Sequence, residues 1–351
     1  MNAQVAAYLN AVGPVLCLDI GSGTQDALLA RPGLEPENWT QLVLPSPAKA
    51  VERRVAKLTA ARRDVWLYGG NMGGGFTRAL KRHVEAGLRV SVTLEASRAI
   101  HDSEERVAAL GFELRESCPA GAVPVHLGDY SPEWWDALLE GLGLPRPRMV
   151  LAAAQDHGVA PQGNRQARMD MWRALLARSS HPADWLYDSV PAGLTRLAAL
   201  HRATGGPVAD TSTAAVLGGL CSAGVRRRAA RQGVTLVNTG NSHITAFLLY
   251  RDEVHGVFEH HTGMRTLEDY VHDLKEFRLG WLPDEQVRAT GGHGTAFGGV
   301  SEEAGGYAPT YLLGPRRAFL EGQGQNIAPC GNMMLAGCYG LLRGAAERFS
   351  R

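Results

Sequence analysis

Apolar and polar positions alternate at two different periods along the first half of the chain. Residues 16–30, LCLDIGSGTQDALLA, predict two short strands joined by a glycine-bearing turn, and residues 40–47 predict a third strand. Helical periodicity then alternates with further apolar runs. We predict helices at about 48–62, 75–87 and 97–110, and strands at 64–70 and 89–95. This alternation is typical of an α/β sheet with crossover connections.

The second half begins after a segment rich in proline and glycine. Residues 120–148 carry one short predicted helix among these breakers, so we place a lobe boundary here, with an N-terminal lobe of residues 1–148 and a C-terminal lobe of residues 149–351. A buried strand is predicted at 149–154. After helical segments to about residue 204, strand and helix patterns alternate again up to a C-terminal helix, MMLAGCYGLLRGAAERF.

Composition narrows the class of protein. Hydrophobic residues make up 45% of the 351 residues, and 36 basic side chains nearly balance 35 acidic ones, which argues against a nucleic-acid surface. The five cysteines are scattered without a CxxC pair, as suits a reducing compartment. The longest small-apolar run, residues 213–225, is too short and glycine-rich to span a bilayer. We therefore expect a cytoplasmic protein without nucleic-acid or membrane partners.

The hairpin sequence occurs a second time. LCLDIGSGTQDALL at 16–29 aligns with LVNTGNSHITAFLL at 236–249, which places Asp19 over Asn238 and keeps a glycine at the start of each turn. Chance similarity of two hairpins is the alternative. The aligned turn residues are Gly21 with Gly240, Ser22 with Asn241, and Gly23 with Ser242.

Such turns suit a phosphate chain. Backbone N–H groups in tight turns form a concave donor site, glycine lets the backbone approach the anion, and hydroxyl groups add donors. A carboxylate at the strand end can hold hydrated Mg²⁺, which is the role we predict for Asp19. Two such hairpins could clamp a phosphate chain from both sides. The predicted phosphate-binding residues are Gly21, Ser22, Gly23, Thr24, Gly240, Asn241 and Ser242.

In this order, the motifs resemble those of the actin-like ATPase superfamily, which includes sugar kinases, actin and the seventy-kilodalton heat-shock chaperones. The resemblance implies a two-lobed, ribonuclease H-like α/β fold with duplicated mixed sheets flanked by helices, binding ATP and Mg²⁺ between the lobes. The matching segments are the first phosphate motif at 19–26, a connecting helix at 209–220, the second phosphate motif at 238–245, an adenosine motif at 289–296 and a second connecting helix at 333–346.

The resemblance also implies roles for single residues. Asp210, at the start of the first connecting helix, would be a catalytic base or water-orienting residue; the alternative is a simple N-cap. Gly291 and Gly292 would underlie the adenosine. Small residues on both connecting helices would let them cross closely at a hinge, although ordinary small-residue core helices would look the same.

More narrowly, the chain resembles a bacterial and archaeal family labelled as a pyruvate formate-lyase activating enzyme. A radical activating enzyme needs three clustered cysteines for its iron–sulfur centre, and the sequence lacks such a cluster. Activases of 2-hydroxyacyl-CoA dehydratases share the actin-like fold and hold a cluster at a dimer interface. No cysteine spacing here indicates that arrangement either, and we expect buried structural cysteines.

Two departures concern the second turn. Asn238 stands where the superfamily usually has Asp, so this side of the site offers no charge to a metal, and His243 replaces a smaller residue. These changes put ATP hydrolysis in doubt more than the fold, and a nucleotide-binding protein without catalysis stays open.

Histidines and two loops offer further candidates. Five histidines and one glutamate could together bind a transition metal, but no pair of them has the HExxH spacing. Roles as polar side chains or as substrate contacts in a cleft are therefore favoured over metal binding. The six residues are His157, His255, Glu259, His260, His261 and His293. Asp156 and His157 follow a buried strand and are predicted substrate contacts. The loop 68–75 could bind an anion at a helix N-terminus, or be a flexible turn.

Together these observations predict an ATP-binding protein that transfers phosphoryl groups to a small molecule or hydrolyses ATP. The alternatives are an ATP-driven activase or assembly factor for a partner enzyme, and a non-catalytic nucleotide or metabolite binder. Expected ligands are a nucleotide and an unidentified small molecule, with a partner enzyme and a homodimer as further candidates.

Overall fold

The computed structural model describes residues 3–159 and 164–350. The strands within these ranges are β1 (Val15–Ile20), β2 (Thr24–Ala30), β3 (Thr40–Pro45), β4 (Val65–Gly69), β5 (Val90–Val92), β6 (Phe112–Leu114), β7 (Val123–Leu127), β8 (Met149–Ala154), β9 (Val208–Ala209), β10 (Val234–Thr239), β11 (His243–Tyr250), β12 (Glu253–His261), β13 (Gly294–Phe297), β14 (Thr310–Leu313) and β15 (Gln325–Asn326).

Helices fill the intervals between the strands. They are α1 (Ala3–Val12), α2 (Pro47–Ala60), α3 (Thr77–Glu85), α4 (Leu94–Ser97), α5 (Glu104–Ala109), α6 (Pro132–Gly141), α7 (Asn164–Arg178), α8 (Thr195–Thr204), α9 (Thr211–Gly219), α10 (Ala223–Ala229), α11 (Leu267–Arg278), α12 (Asp284–Ala289) and α13 (Ala336–Phe349). None of the helices in the described ranges has the length and apolar character needed to cross a membrane.

Two of the sheets share one topology. The first has the strand order β3-β2-β1-β8-β9, and the second has β12-β11-β10-β14-β15 with β13 added at its edge. In both, three antiparallel strands are followed by a strand parallel to the first of them, β8 beside β1 and β14 beside β10. The internal repeat seen in the two hairpins therefore extends to two whole sheets, and this duplication is that of the two-lobed actin-like ATPase fold.

The first sheet draws on both sides of the predicted lobe boundary. The strand β8 pairs with β1 along its whole length, from Val15 opposite Met149 to Ile20 opposite Ala154, and β9 extends the same sheet. A boundary between residues 148 and 149 therefore cuts through a sheet. A parallel neighbour is reached through a long crossover connection and not from the adjacent chain, which is why β8 joins a sheet that begins with the N-terminal strands.

A third sheet separates from the first. Its order is β6-β5-β4-β7, all parallel, with a core that includes Val65, Phe76 and Val90. The sequence predicted β4 and β5 but left 120–148 with one helix only, and so missed β7, whose sequence VPVHL carries a proline.

One strand and one helix predicted in this region are shorter than expected, because a hydroxyl side chain starts a new helix inside each. The strand predicted at 89–95 ends at Val92 because the Thr93 hydroxyl accepts the Ala96 N–H and starts α4. The helix predicted at 97–110 is interrupted because Ser103 caps a new helix in the same way.

The connecting helices α9 and α13 cross at very short range. A Cβ added to Gly218 would lie 2.2 Å from the carbonyl oxygen of Ala336, and one added to Gly340 would lie 2.1 Å from that of Ala214. Both separations are far below van der Waals contact, so only glycine permits this approach. The close crossing predicted from the small residues is confirmed.

Candidate functional site

A cleft of about 570 Å³ opens where the turns of the two repeated hairpins meet. At their tips, the Ser22 and Ser242 hydroxyl oxygens lie 2.8 Å apart. Loops 71–75 and 98–102 of the third sheet, the loop 155–159 after β8 and the starts of α9 and α13 complete the wall. The cleft is therefore bounded by all three sheets.

Equivalent hydrogen bonds shape the two turns. The Gly21 N–H donates to the Thr24 carbonyl at 2.9 Å, and the Gly240 N–H donates to the His243 carbonyl at 2.8 Å. In each repeat, a hydroxyl residue just after the third strand supports the turn. The Ser46 hydroxyl donates to the Ser22 carbonyl, and the Ser46 N–H donates to the Gly23 carbonyl. In the second repeat, the Thr262 hydroxyl donates to the Gly240 carbonyl, and the Thr262 N–H donates to the Ser242 carbonyl.

All but one of the predicted phosphate-binding residues line the cleft. The exception is Gly23, which lies against the opposite turn, where an added Cβ would be 2.9 Å from the Asn241 amide nitrogen. The structure thus brings the two predicted turns together, one from each repeat.

Asp19 occupies the centre of the cleft floor. Its Oδ1 accepts the Thr211 hydroxyl at 2.6 Å, and its Oδ2 lies so close to α13 that a Cβ on Gly337 would be 2.0 Å away. Burial raises the pKa of Asp19 to about 6, against the favourable Thr211 hydrogen bond. A bound cation would offset this cost by supplying positive charge next to the carboxylate.

A second carboxylate, Asp26, faces Asp19 across the same hairpin. The two residues are direct partners in the β1–β2 ladder and both line the cleft. Burial first, and then the charge of Asp19, raise the pKa of Asp26 to about 8, and its buried Oδ1 has no hydrogen-bond partner. Asp26 is not among the site residues predicted from the sequence. The signal was available, since a hairpin with its turn at 21–24 pairs Asp19 with Asp26.

Asp210 is an N-cap with an ion pair. Its side chain is fully buried, its Oδ1 accepts the Ser212 N–H at 2.9 Å, and each carboxylate oxygen accepts one Nη group of Arg168. Arg168 in turn donates through Nε to Glu259 at 2.8 Å. The cap alternative is what the structure contains, and Asp210 is not among the residues that line the cleft.

Asp156 and His157 both lie on the cleft wall. Asp156 is committed to the backbone, because its two oxygens accept the Gly158 N–H at 2.8 Å and the Leu197 N–H at 3.0 Å. It therefore shapes the loop that carries His157. Burial lowers the pKa of His157 to about 4, so its ring is neutral at pH 7.

The two glycines of the predicted adenosine motif lie elsewhere. Gly291 and Gly292 follow α12 and precede β13, and Gly292 packs against His260 and Val287. Neither lines the cleft. The predicted strand-then-glycine arrangement occurs instead after β14, where Gly314 has φ +94° and an added Cβ would be 2.3 Å from the Thr239 carbonyl oxygen.

Gly314 borders the cleft beside Asn238, the amide that stands where the superfamily usually has Asp. The sequence YLLGPRR carried the signal, an apolar strand followed by a glycine, but its single glycine was less conspicuous than the pair at 291–292.

The histidines divide between two sides of β12. His260 packs on Phe258 and Tyr270 and contacts the Thr290 hydroxyl at 3.2 Å, whereas His261 faces His243. The prediction that the adjacent pair points to opposite sides is confirmed. His157, His243 and His293 converge at one end of the cleft, with ring nitrogens within 4.8 Å of one another.

Cys221 and Cys330 line one surface pocket, but no three cysteines of the described residues lie close enough to share a ligand. Cys17 and Cys338 are buried, Cys118 and Cys330 are exposed, and Cys221 is half-buried. Within the described residues, the set of three or more close metal-binding side chains consists of histidines alone. These donors do not fit an iron–sulfur cluster, which takes cysteine thiolates.

The comparisons with solved structures span nearly the whole chain. An actin-like ATPase fold protein of unknown function from Bacteroides thetaiotaomicron is 8% identical over 95% of this chain and 97% of its own, with a TM-score of 0.37. Inorganic polyphosphate/ATP-glucomannokinase from Arthrobacter is 14% identical over 96% of this chain and 99% of its own, with a TM-score of 0.34. The ROK hexokinase from Thermus thermophilus is 12% identical over the same shares of the two chains, with a TM-score of 0.31. Because these scores are low, the assignment of the fold rests on the duplicated sheet topology.

No curated protein matches the sequence. A family model does match, over residues 72–319, which is more than half of the chain and includes the second hairpin, α9 and β14. The chain therefore belongs to the family described as "Putative pyruvate format-lyase activating enzyme (DUF1786)".

Proposed function

We propose that this protein binds ATP with Mg²⁺ in the cleft and either transfers the terminal phosphoryl group to a small molecule or hydrolyses the nucleotide. The observation that carries the proposal is the meeting of two equivalent glycine turns, with the Ser22 and Ser242 hydroxyls 2.8 Å apart at their tips. Opposed turns of this kind can hold a phosphate chain from both sides through backbone N–H and hydroxyl donors. Phosphoryl transfer needs chiefly such positioning and charge neutralisation.

Different residues of the cleft would contact the phosphates and the nucleoside. Residues 21–24 and 240–242 would hold the phosphates. Gly314 would border the nucleoside in place of Gly291 and Gly292, because it ends the strand beside the second turn and lines the cleft.

Asp19 and Asp26 fit a hydrated cation. Both are carboxylates on one face of one hairpin, both have a raised pKa, and Asp26 has an unpartnered oxygen. Mg²⁺ prefers oxygen ligands and keeps several of its waters, so Asp19 would contact it through water. When bound, Mg²⁺ would neutralise charge on the phosphates. This hairpin offers two acidic groups, so the amide at Asn238 is compatible with metal binding.

The acceptor would lie on the side of the third sheet. Loops 71–75 and 98–102 face the hairpin turns across the cleft, and His157 borders the same space. Loop 71–75 is tied to the first repeat through Asp129, which accepts the Gly73 N–H at 3.3 Å and Arg196 Nε at 2.6 Å, and Arg196 also donates to the Gln155 carbonyl at 2.8 Å. Closure of the third sheet toward the turns would exclude water from the transferred group.

Thermal unfolding with ATP, ADP and Mg²⁺ tests nucleotide binding. A ligand that binds the native state at 100 times its Kd stabilises that state by about 2.7 kcal/mol, so MgATP should raise Tm. Asp19→Asn should keep or raise the Tm of the free protein, because it removes a buried charge, but lose most of the Mg²⁺-dependent increase. Asp252→Asn, in an exposed turn, is the matched control. Absence of any shift at millimolar nucleotide over several pH values would refute the proposal.

A non-catalytic binder is the second candidate, and the ion pair of Asp210 favours it. With both oxygens engaged by Arg168, Asp210 is not free to accept a proton from an attacking group. A binder predicts the Tm increase without turnover. An activase or assembly factor predicts turnover that rises when the partner enzyme is added.

A further inference from the structure

Three histidines from separate parts of the second half of the chain meet at the end of the cleft. His157 lies in the loop after β8, His243 begins β11 directly after the second turn, and His293 precedes β13. Their ring nitrogens lie within 4.8 Å of one another, and the ring centroids are 5.0–5.5 Å apart. Each ring adds to the cost of protonating the others, so the close cluster favours neutral rings.

Several of these nitrogens are buried without a partner. His293 is only 3% exposed, and neither of its ring nitrogens has a hydrogen bond; the same is true of Nε2 of His243. Buried polar atoms are normally paired, and an unpaired one costs about 1–3 kcal/mol. A metal ion that accepts one lone pair from each ring would remove that part of the cost.

The spacing is near that of a metal site. Nitrogens held 2.0–2.1 Å from a tetrahedral Zn²⁺ are about 3.4 Å apart, so small rotations of the rings would bring them to ligating distance. His261 covers the same space, since it pairs directly with His243 in the β11–β12 ladder at a ring separation of 4.5 Å.

Buried charges behind the histidines hold the site in place. Glu259 accepts Gln155 at 2.9 Å, and Gln155 lies two residues before His157, so this bond fixes the loop against β12. Glu259 also accepts Arg168 and Trp172, each at 2.8–2.9 Å. Its oxygens are therefore occupied, and it acts on the site through its charge.

The charge balance favours a cation. Asp210 and Glu259 share the single guanidinium of Arg168, which leaves one formal negative charge buried nearby.

We propose that His157, His243 and His293 bind one divalent first-row transition metal ion such as Zn²⁺, and that the remaining coordination position of this ion opens to the cleft. Imidazole donors suit Zn²⁺, Ni²⁺, Cu²⁺ or Fe²⁺ rather than Mg²⁺, so this ion is distinct from the Mg²⁺ proposed at Asp19. Because His157 and His243 line the cleft, the open position faces the space beside the second turn. A ligand oxygen, such as that of a phosphate or carboxylate, could complete the coordination there.

Direct metal binding tests the proposal without any assay of turnover. The full chain, stripped with a chelator, is titrated with Co²⁺ and then Zn²⁺ and followed by the d–d absorption of Co²⁺ and by metal analysis. We expect one ion per chain, unchanged by excess Mg²⁺ and by Asp19→Asn. This result would hold even if the nucleotide proposal failed.

Histidine variants locate the site. His157→Ala, in a cleft loop, and His243→Ala should each raise the Kd for Co²⁺ by more than about 100-fold, beyond the 10–100-fold typical of an outer-shell change. His272→Ala, on the exposed face of α11, should leave the Kd unchanged. Circular dichroism checks that each variant is folded. Wild-type protein that binds no Co²⁺, or a folded His157→Ala variant that keeps the wild-type Kd, would overturn the proposal.

Discussion

At the scale of single residues, Asp19 and Asp26 show how a fold sets the chemistry of side chains. Each is an ordinary carboxylic acid in the sequence, with an unperturbed pKa near 3.9. Facing each other in a buried ladder, they have pKa values raised to about 6 and about 8. The native state therefore holds protons that the unfolded chain has already released, and this difference makes stability depend on pH.

Free of metal, these two carboxyl groups should contribute less to stability as pH rises from about 4 to 8. Over this range the unfolded chain binds fewer protons at these two positions than the native state does, so their share of the free energy of unfolding falls. The buried histidines with lowered pKa values, His157, His243 and His293, act in the opposite direction below about pH 6.5, because there the unfolded chain protonates them first. Asp26→Asn removes the larger carboxyl contribution. Relative to the wild type, it should raise the free energy of unfolding by on the order of 1–2 kcal/mol at pH 8 and by less at pH 5, since one unit of pKa shift corresponds to about 1.4 kcal/mol.

Urea unfolding at pH 5, 6.5 and 8 measures the effect. Asp252→Asn is the control, because this residue is exposed and its left-handed backbone (φ 62°) is one that Asn tolerates. Mg²⁺ at pH 8 should stabilise the wild type more than Asp26→Asn. A stability gain of Asp26→Asn over the wild type that shrinks as pH rises from 5 to 8 would contradict the assignment.

At the scale of elements, the crossing of α9 and α13 joins the two repeats. The α13 helix starts beneath Asp19 and packs on α9, whose first residue, Thr211, donates to the same carboxylate. The connecting helices therefore link the proposed cation site to the interface between the repeats. Glycines set the distance of this crossing, so it should respond to a single methyl group.

Gly218→Ala should destabilise the protein by about 3 kcal/mol, because the new Cβ would meet the Ala336 carbonyl at 2.2 Å, where backbone must move. Gly141→Ala is the matched control. It lies at the end of α6 with no atom within 4 Å of an added Cβ, so the variant should keep or gain up to about 1 kcal/mol. Chemical denaturation measures both. Equal stability of the two variants would show that the crossing can relax freely.

At the scale of the whole molecule, the contact between the hairpin tips indicates a clamp that can close. Ser22 and Ser242 are 220 residues apart in sequence, yet their hydroxyls touch. A phosphate chain between the turns would compete with this contact. The proposed cycle of ligand entry and closure therefore depends on separation of the two tips.

A disulfide across the tips should block this separation. In a background without the exposed thiols (Cys118→Ser, Cys330→Ser), the double variant Ser22→Cys/Ser242→Cys should oxidise to a cross-linked chain with faster migration on a non-reducing gel. We expect the oxidised form to bind MgATP at least about 10-fold more weakly, a change of about 1.4 kcal/mol, with recovery on reduction. Ser22→Cys alone is the control. Unchanged affinity in the cross-linked form would mean that ligands enter by another route.

Much of the fold could be predicted because its signals are local or repeated. The strand β1, the turn 21–24 and the small residues of α9 follow from period, glycine and side-chain size, and the repeat at 236–249 revealed the duplication. The third sheet could not be separated in the same way. Its short parallel strands pair only through crossovers, and β7 carries a proline, so no local pattern indicates which sheet they join.

The sequence by itself determined the two phosphate-type turns, the carboxylate at Asp19 and the close crossing of the connecting helices, because each depends on residues adjacent in the chain or on a visible repeat. Only the tertiary structure decided which polar groups face one another. Arg168 neutralises Asp210 from a helix 42 residues earlier, Gly314 rather than Gly291 borders the cleft, and His157, His243 and His293 meet from three separate segments. Burial, charge pairing and ligand geometry act through space, and sequence spacing carries no record of them.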